Sequence, residues 1–371
     1  MLVGVPKEIK SGEARVGLTP DAVAEYVAHG HHVLVETGAG AGIDAPDAVY
    51  VRAGARIAES AAEVFAKAEM IVKVKEPQPS EWAQLRGGQI LFTYLHLAAD
   101  PAQARGLMAS GATAIAYETV TDASGGLPLL APMSEVAGRL SIQAAATALQ
   151  RPNGGRGLLL GGVPGVPPGK VVIIGGGVVG EQAAWMAVGL GGEVTILDGS
   201  LPRLRALDAG FRGRVHTRFS TGEAIREELT TADVVVGAVL VPGATAPRLV
   251  TRAMLSGMRR GAVLVDVAID QGGCFETSRP TTHANPTFVV DGIVHYCVAN
   301  MPGAVPLTSS HALNNATLPF GLALADDGLA ALARDPRLRS GLNVHRGGIV
   351  HPAVAESLGI EFCDPSELLA A

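Results

Sequence analysis

The sequence predicts an α/β protein built from two doubly wound domains, and three observations carry that prediction. From Lys170 onward short β-branched runs alternate with stretches of helical periodicity, and the first 130 residues show a second series of the same kind. The run Val171-Val-Ile-Ile-Gly175-Gly-Gly177-Val178-Val179-Gly180 sets a glycine turn between an apolar strand and a helix, and Glu193-Val-Thr-Ile-Leu-Asp198 follows as an acid-tipped strand. A chain of 371 residues also exceeds the size at which one core keeps growing.

In chain order, strands are expected near 2–5, 32–36, 70–74, 90–94 and 113–117, with helices near 20–29, 60–68, 80–86 and 101–110. Pro20-Asp21 and Asp100-Pro101 start two of these helices, and Gly30 and Gly111 stop them. The proline-free, apolar stretch from Ser134 to Leu149 predicts a helix crossing between the domains. Strands at 171–174, 193–197, 214–219, 233–237, 262–266 and 293–298, with helices near 178–190, 221–229 and 250–257, make a complete nucleotide-binding domain. After Pro302-Gly303 a helix is expected from Leu318 to Ala333, and the mixed tail is too short for a domain of its own. The expected division is 1–130, then a dinucleotide-binding domain at 131–305, then 306–371 returning to the first domain.

The glycine run has a chemical reading. Gly175 makes a tight turn, Gly177 lets backbone approach a pyrophosphate, and Gly180 lets the helix pack on its strand with its N-terminus facing the phosphates. The Asp198 carboxylate suits the ribose hydroxyls of NAD and opposes a 2′-phosphate. Arg203 and Arg205 lie just beyond and are of the type that accommodates a 2′-phosphate, but the carboxylate outweighs them. The alternative is a glycine turn with no nucleotide, against which the flanking strand and terminal acid both count.

Composition narrows the function classes. A net charge of −6 without a Lys/Arg cluster argues against nucleic acid or an anionic membrane as partner. Cys274, Cys297 and Cys363 form neither a C-x-x-C pair nor an even framework, so free thiols in a reducing compartment are expected. The N-terminus reads directly into a strand without a secretory pattern, and apolar runs such as Val234 to Val241 are too short to span a bilayer. A soluble, cytoplasmic protein is the expectation.

Polar residues at strand ends are the candidates for chemistry, because parallel sheets bind ligands beyond the carboxyl ends of their strands. Arg15 follows the first strand, Lys75 ends Met70-Ile-Val-Lys-Val-Lys75, His96 ends Leu91-Phe-Thr-Tyr-Leu-His96, and Asp270 follows Val263-Leu-Val-Asp-Val267-Ala268-Ile269-Asp270. Arg and Lys hold a carboxylate and polarise a carbonyl, His exchanges a proton, and Asp orients water or ammonia. Converging across an interdomain cleft floored by a nicotinamide, they would suit 2-amino acid chemistry. Taken singly, each also reads as a solvent-facing charge or a turn residue. Ser134 reads equally as a helix N-cap and as a cofactor contact. His29, His31 and His32 flank Gly30 without a partnered carboxylate, and His311, His345 and His351 lack metal spacing, so no metal is expected.

Val5-Pro-Lys-Glu8, Glu13-Ala-Arg15-Val, Val74-Lys75-Glu-Pro77, Thr93-Tyr-Leu-His96-Leu, Pro132-Met-Ser134-Glu-Val-Ala-Gly138-Arg, Gly161-Gly-Val-Pro-Gly165, Ile269-Asp270-Gln-Gly-Gly and Val298-Ala299-Asn300-Met301-Pro-Gly carry a further reading. Over essentially its full length the chain resembles the alanine dehydrogenase family, which also contains the NAD-binding subunit of proton-translocating transhydrogenase. The resemblance implies that Arg15 and Lys75 bind the substrate carboxylate and carbonyl, and that His96 and Asp270 perform the proton and water chemistry. It implies NAD contacts from Ser134, Val178, Val179, Asp198, Arg203, Ser220, Val239, Leu240, Val267, Ala268, Ile269, Asp270, Arg279, Val298, Ala299, Asn300 and Met301, besides the glycine turn. It implies a homohexamer that interconverts L-alanine with pyruvate and ammonium. Members with a proposed magnesium site use acidic and histidine ligands near 323–327, where this chain has Ala323 and Asp327. A transhydrogenase subunit, a silent NAD sensor and a saccharopine-type dehydrogenase are the alternatives; Lys75, His96 and Asp270 together count against the first.

Overall fold

Apolar runs become strands wherever both of their faces can be covered. In the computed structural model, which describes residues 1–239 and 246–365, the first are β1 (Leu2–Val5), β2 (His32–Glu36), β3 (Arg56–Ala58), β4 (Met70–Val72), β5 (Ile90–Thr93) and β6 (Thr113–Ala116). There follow β7 (Lys170–Ile174), β8 (Glu193–Asp198), β9 (His216–Phe219), β10 (Val234–Gly237), β11 (Val263–Asp266), β12 (Thr287–Val290) and β13 (Ile293–Tyr296), and then β14 (Leu342–His345) and β15 (Gly348–Ile349). Val3, Ile71, Leu91, Ile115, Val172, Val235 and Val265 are wholly buried, as residues of a parallel sheet between helical layers must be.

The chain divides into two compact units, Met1–Met133 with Val305–Ala371, and Ser134–Ala304. Strand order in the first is β15-β14-β6-β5-β4-β1-β2-β3, and in the second β12-β13-β11-β10-β7-β8-β9. β14 pairs antiparallel with both β6 and β15 at one edge, as does β12 with β13 in the other sheet, and the remaining neighbours are parallel. With those edge strands set aside, each unit repeats the 3-2-1-4-5-6 order of a doubly wound sheet. The strand order therefore reverses between β1 and β4 in one unit and between β7 and β10 in the other. The predicted α/β class holds, and it locates the ligand-binding edge of each sheet.

Several elements differ from the sequence reading. β3, β12, β14, β15 and the helix Asp47–Arg52 are short pieces with little periodicity to read. The helix expected at 250–257 reduces to Arg252–Leu255. The crossing helix starts at Ala131 rather than Ser134, since Pro132 falls in the first turn, where a missing N–H costs nothing. Ser134 is thus inside that turn and is not its N-cap. The helix expected from Leu318 begins at Pro306 and runs to Asp327, with Ala330–Arg334 following as a separate helix. Its first half carries Ser309, Ser310, Asn314 and Thr317, which resemble a loop in sequence but are all buried. Ser310 Oγ accepts from Val16 N at 3.2 Å, Asn314 Oδ1 accepts from Thr19 N at 2.9 Å, and Asn314 Nδ2 donates to Gly17 O at 3.1 Å. The polar stripe clamps the loop that follows β1.

No helix of the described residues is long and apolar enough to cross a membrane. Cys274 and Cys297 are buried free thiols and Cys363 is an exposed one.

Candidate active site

The first unit presents Arg15, Lys75 and His96 beyond the carboxyl ends of β1, β4 and β5, with β1 and β4 bordering its reversal point. Arg15 owes its position to a close approach. Gly17 lies so near β4 that a Cβ there would stand 2.3 Å from the Val72 carbonyl oxygen, so the 15–17 loop lies flat against the strand end. The Arg15 side chain is buried; Nε donates to Glu13 Oε1 at 2.7 Å, Nη2 to Glu13 Oε2 at 2.5 Å, and Nη1 meets Met133 Sδ at 2.9 Å. Burial pulls its pKa down, but the hydrogen bond and charge of Glu13 outweigh that and hold it above the ordinary value. Arg15 is a permanent, pre-aimed cation.

Lys75 is half-buried, and its carbonyl accepts from Thr93 Oγ1 at 3.1 Å, which ties the β4 end to β5. Beneath it lies a buried charge cluster. Lys73 Nζ stands 3.1 Å from Glu8 Oε2 and 2.7 Å from Glu81 Oε1, while Glu8 Oε1 accepts from Val74 N at 2.7 Å. Burial opposes the charge on Lys73, but Glu8 and Glu81 together raise its pKa. The carboxylate of the Pro6-Lys7-Glu8 turn and the Lys73 cation just after β4 thus fix the two loops against each other.

His96 adopts a left-handed backbone, φ 52°, which a β-carbon disfavours. The Glu118 carboxylate, just after β6, holds it there: Oε1 accepts from His96 N at 2.5 Å, and both oxygens accept from Leu95 N at 3.2 Å. The imidazole is exposed, stacks on Tyr94 at 5.7 Å and 5°, and has Nδ1 3.9 Å from Glu118 Oε1. Tyr94 is itself anchored by donating from its hydroxyl to Leu129 O at 2.6 Å. Glu13, Glu118 and Met133 escaped the sequence reading. The strand-end rule would have found Glu118, and the two-residue spacing to Arg15 would have found Glu13.

In the second unit the Gly175 turn follows β7 with φ +101°, and a Cβ on Gly180 would fall 1.8 Å from the Gly175 carbonyl oxygen, so the helix Val178–Gly189 rests directly on the turn. Gly177 caps that helix without any side-chain hydrogen bond, and the space where its Cβ would be is open. Exposed helical N–H groups beside an empty cradle fit a pyrophosphate. Asp198 lies alongside, with Oδ2 accepting from Gly176 N at 2.7 Å and Oδ1 from Ser200 N at 2.8 Å. Ser220 N bonds to Asp198 O at 3.0 Å, and the exposed Val178 and half-buried Val179 begin the helix.

The remaining predicted contacts lie on loops beyond β10, β11 and β13. Val239 follows β10, and Leu240 lies outside the described residues. Val267 N donates to Gly237 O at 3.0 Å, and a short turn at Ile269–Gln271 presents Asp270 to solvent. The neighbouring Asp266 is wholly buried and accepts from Cys274 N at 2.9 Å and Ser278 Oγ at 2.5 Å, so it pins the ends of the Asp270 loop. Burial raises its pKa, which those hydrogen bonds only partly oppose. Arg279 lies over the Phe288 ring at 4.2 Å. Val298 bridges to Thr281, and Asn300 has φ 59° with its carbonyl 3.2 Å from His283 Nε2. Met301 is buried at the start of the closing turn, and Ser134 is half-buried. Among the described residues no three His, Cys, Asp or Glu side chains gather as metal ligands, and Asp327 pairs with Arg334 at 2.6 Å.

Comparison with known proteins accords with this arrangement. Residues 4–137 match the family model of the alanine dehydrogenase/PNT N-terminal domain, and residues 141–352 that of the C-terminal domain. The alanine dehydrogenase of Halomonas elongata is 59% identical over 370 residues, spanning 100% of both chains. A solved L-alanine dehydrogenase superposes with a TM-score of 0.94 at 54% identity, covering 97% of this chain and 99% of that one. The transhydrogenase of Sinorhizobium meliloti follows at a TM-score of 0.82 and 26% identity, covering 95% and 100%. The chain belongs to the alanine dehydrogenase/PNT family.

Proposed function

We propose that this chain catalyses the reversible, NAD-dependent oxidative deamination of L-alanine to pyruvate and ammonium. The observation that carries the reading is end-to-end identity of 59% with an alanine dehydrogenase, in a chain with Arg15, Lys75, His96 and Asp270 all beyond strand ends. The 26% identity to a transhydrogenase leaves the hydride-relay reading well behind. The first unit serves as substrate domain and the second as dinucleotide-binding domain.

Bound NAD⁺ supplies the hydride acceptor. The protein's own groups do the rest. Arg15, kept cationic by Glu13, and Lys75 hold the alanine carboxylate, and Lys75 polarises the carbonyl when pyruvate is bound. Loss of hydride and one proton converts alanine to the iminium. Asp270 accepts a proton from water as its oxygen attacks the iminium carbon, giving a carbinolamine. His96 passes a proton to the departing nitrogen and takes back the hydroxyl proton as the C=O bond forms and the C–N bond breaks, and the released ammonia takes up the proton held by Asp270 to leave as ammonium beside pyruvate. The helix at Gly177 holds the pyrophosphate and Asp198 the adenosine ribose. A homohexamer in the cytoplasm is the proposed working form.

NADH oxidation with pyruvate and ammonium, each omitted in turn, tests the reading. Turnover should require all three. Activity without ammonium would make the protein a hydroxy-acid dehydrogenase instead.

A further inference from the structure

Arg203 stands just beyond the acid-tipped strand, where an arginine can accommodate a 2′-phosphate. The structure gives it other work. Its Nε donates to Gly176 O at 2.5 Å, its Nη2 pairs with the Glu181 carboxylate, and its backbone N–H bonds to Ser200 Oγ at 3.3 Å. The Gly176 backbone is therefore gripped on both sides, at its N–H by Asp198 and at its carbonyl by Arg203. Glu181 projects from the first turn of the helix Val178–Gly189. Both side chains are about one-third exposed, 32% for Arg203 and 35% for Glu181, so solvent and ligand reach the pair.

We propose that Glu181 is a specificity-determining residue, which tethers Arg203 across the glycine turn and so withholds its guanidinium from a 2′-phosphate. The inference rests on the NAD reading above. Without the tether, one neutral carbonyl retains the guanidinium, and a phosphate dianion competes for it with two charge-assisted hydrogen bonds. Rejection of NADP then has two sources, the charge of Asp198 and the engagement of Arg203. A part-exposed ion pair contributes little, so its removal should shift binding by up to about fivefold.

Fluorescence titration of the full-length protein with NADH and with NADPH tests this without turnover. Wild type should bind NADH saturably; failure to do so would sink the NAD reading and this proposal with it. In an Asp198→Ala background, adding Glu181→Gln should lower the ratio of the NADPH to the NADH Kd by about three- to fivefold, and Glu181→Ala should do the same. Adding Arg203→Ala should abolish that gain. An unchanged ratio on removing Glu181 would overturn the tether. So would a gain that survives Arg203→Ala, because Glu181 would then act by its own charge on the phosphate.

Discussion

Lys75 and Arg15 are proposed to act by holding charge, so their loss should appear first in substrate affinity. A charge-assisted hydrogen bond contributes about 1.5–3 kcal/mol. Lys75→Ala should therefore raise the pyruvate KM about ten- to a hundredfold in steady-state assays, and unchanged KM and kcat would remove Lys75 from the site. His96 and Asp270 are proposed to act on protons, and general acid–base catalysis contributes about 10²- to 10⁴-fold. His96→Ala and Asp270→Asn should lose that much kcat in both directions while NADH titration still shows an occupied site. Wild-type kcat in either variant contradicts their roles. The placement of these four beyond strand ends was legible in the sequence, because the β-branched runs before them mark the strands. Glu118 stands at a strand end too, but its work is to accept backbone N–H groups from Leu95 and His96, a partnership between distant loops that no local pattern records. Ser134 read equally as an N-cap and as a cofactor contact, and the cap reading fails because the helix starts earlier, at Ala131.

The helix Pro306–Asp327 shows how an element can be missed for being polar on the wrong face. Asn314 satisfies Thr19 N and Gly17 O beside Arg15, and stranding buried backbone groups costs about 1–3 kcal/mol each. Asn314→Ala should lower unfolding stability in urea by at least that amount and raise the pyruvate KM by loosening the Arg15 loop. A loss of stability with unchanged KM would confine Asn314 to folding. The loop after β4 carries a pH signature as well. Burial would raise the Glu76 pKa, but the Lys10 hydrogen bond and the charges of Lys75 and Lys10 lower it below the ordinary 4.5. Glu76 therefore contributes stability that is present above about pH 4.5 and is lost as pH falls through its depressed folded value. Glu76→Gln should flatten the acid limb of stability against pH; an acid limb identical to wild type would show that the carboxylate contributes nothing there. The long, regular strands were read within a residue or two because β-branched runs between turns are strong signals. β12 escaped because it is a half-buried edge strand, paired only to its hairpin neighbour β13.

At the scale of the molecule the α/β class and two doubly wound sheets followed from the alternation of runs and from length. The repetition of one strand order in both sheets did not, since order is a property of pairing across the chain. The homohexamer is an expectation of family membership, and light scattering should give a particle six times the chain mass. A mass that stays at one or two chains across a dilution series would reject it.

The discontinuity of the first unit has a consequence for how the protein is made. Residues 134–304 form one contiguous unit, whereas the other is written in two pieces on either side of it. A nascent chain leaves the ribosome N-terminus first, and domains fold as units when their residues are available. The second unit's sequence leaves the ribosome before the helix that clamps Val16–Thr19 does. The backbone of Thr19 finds its partner, Asn314, only 295 residues later. The first unit is thus begun first and finished last. During that interval the backbone of Val16 and Thr19 lacks its Ser310 and Asn314 partners.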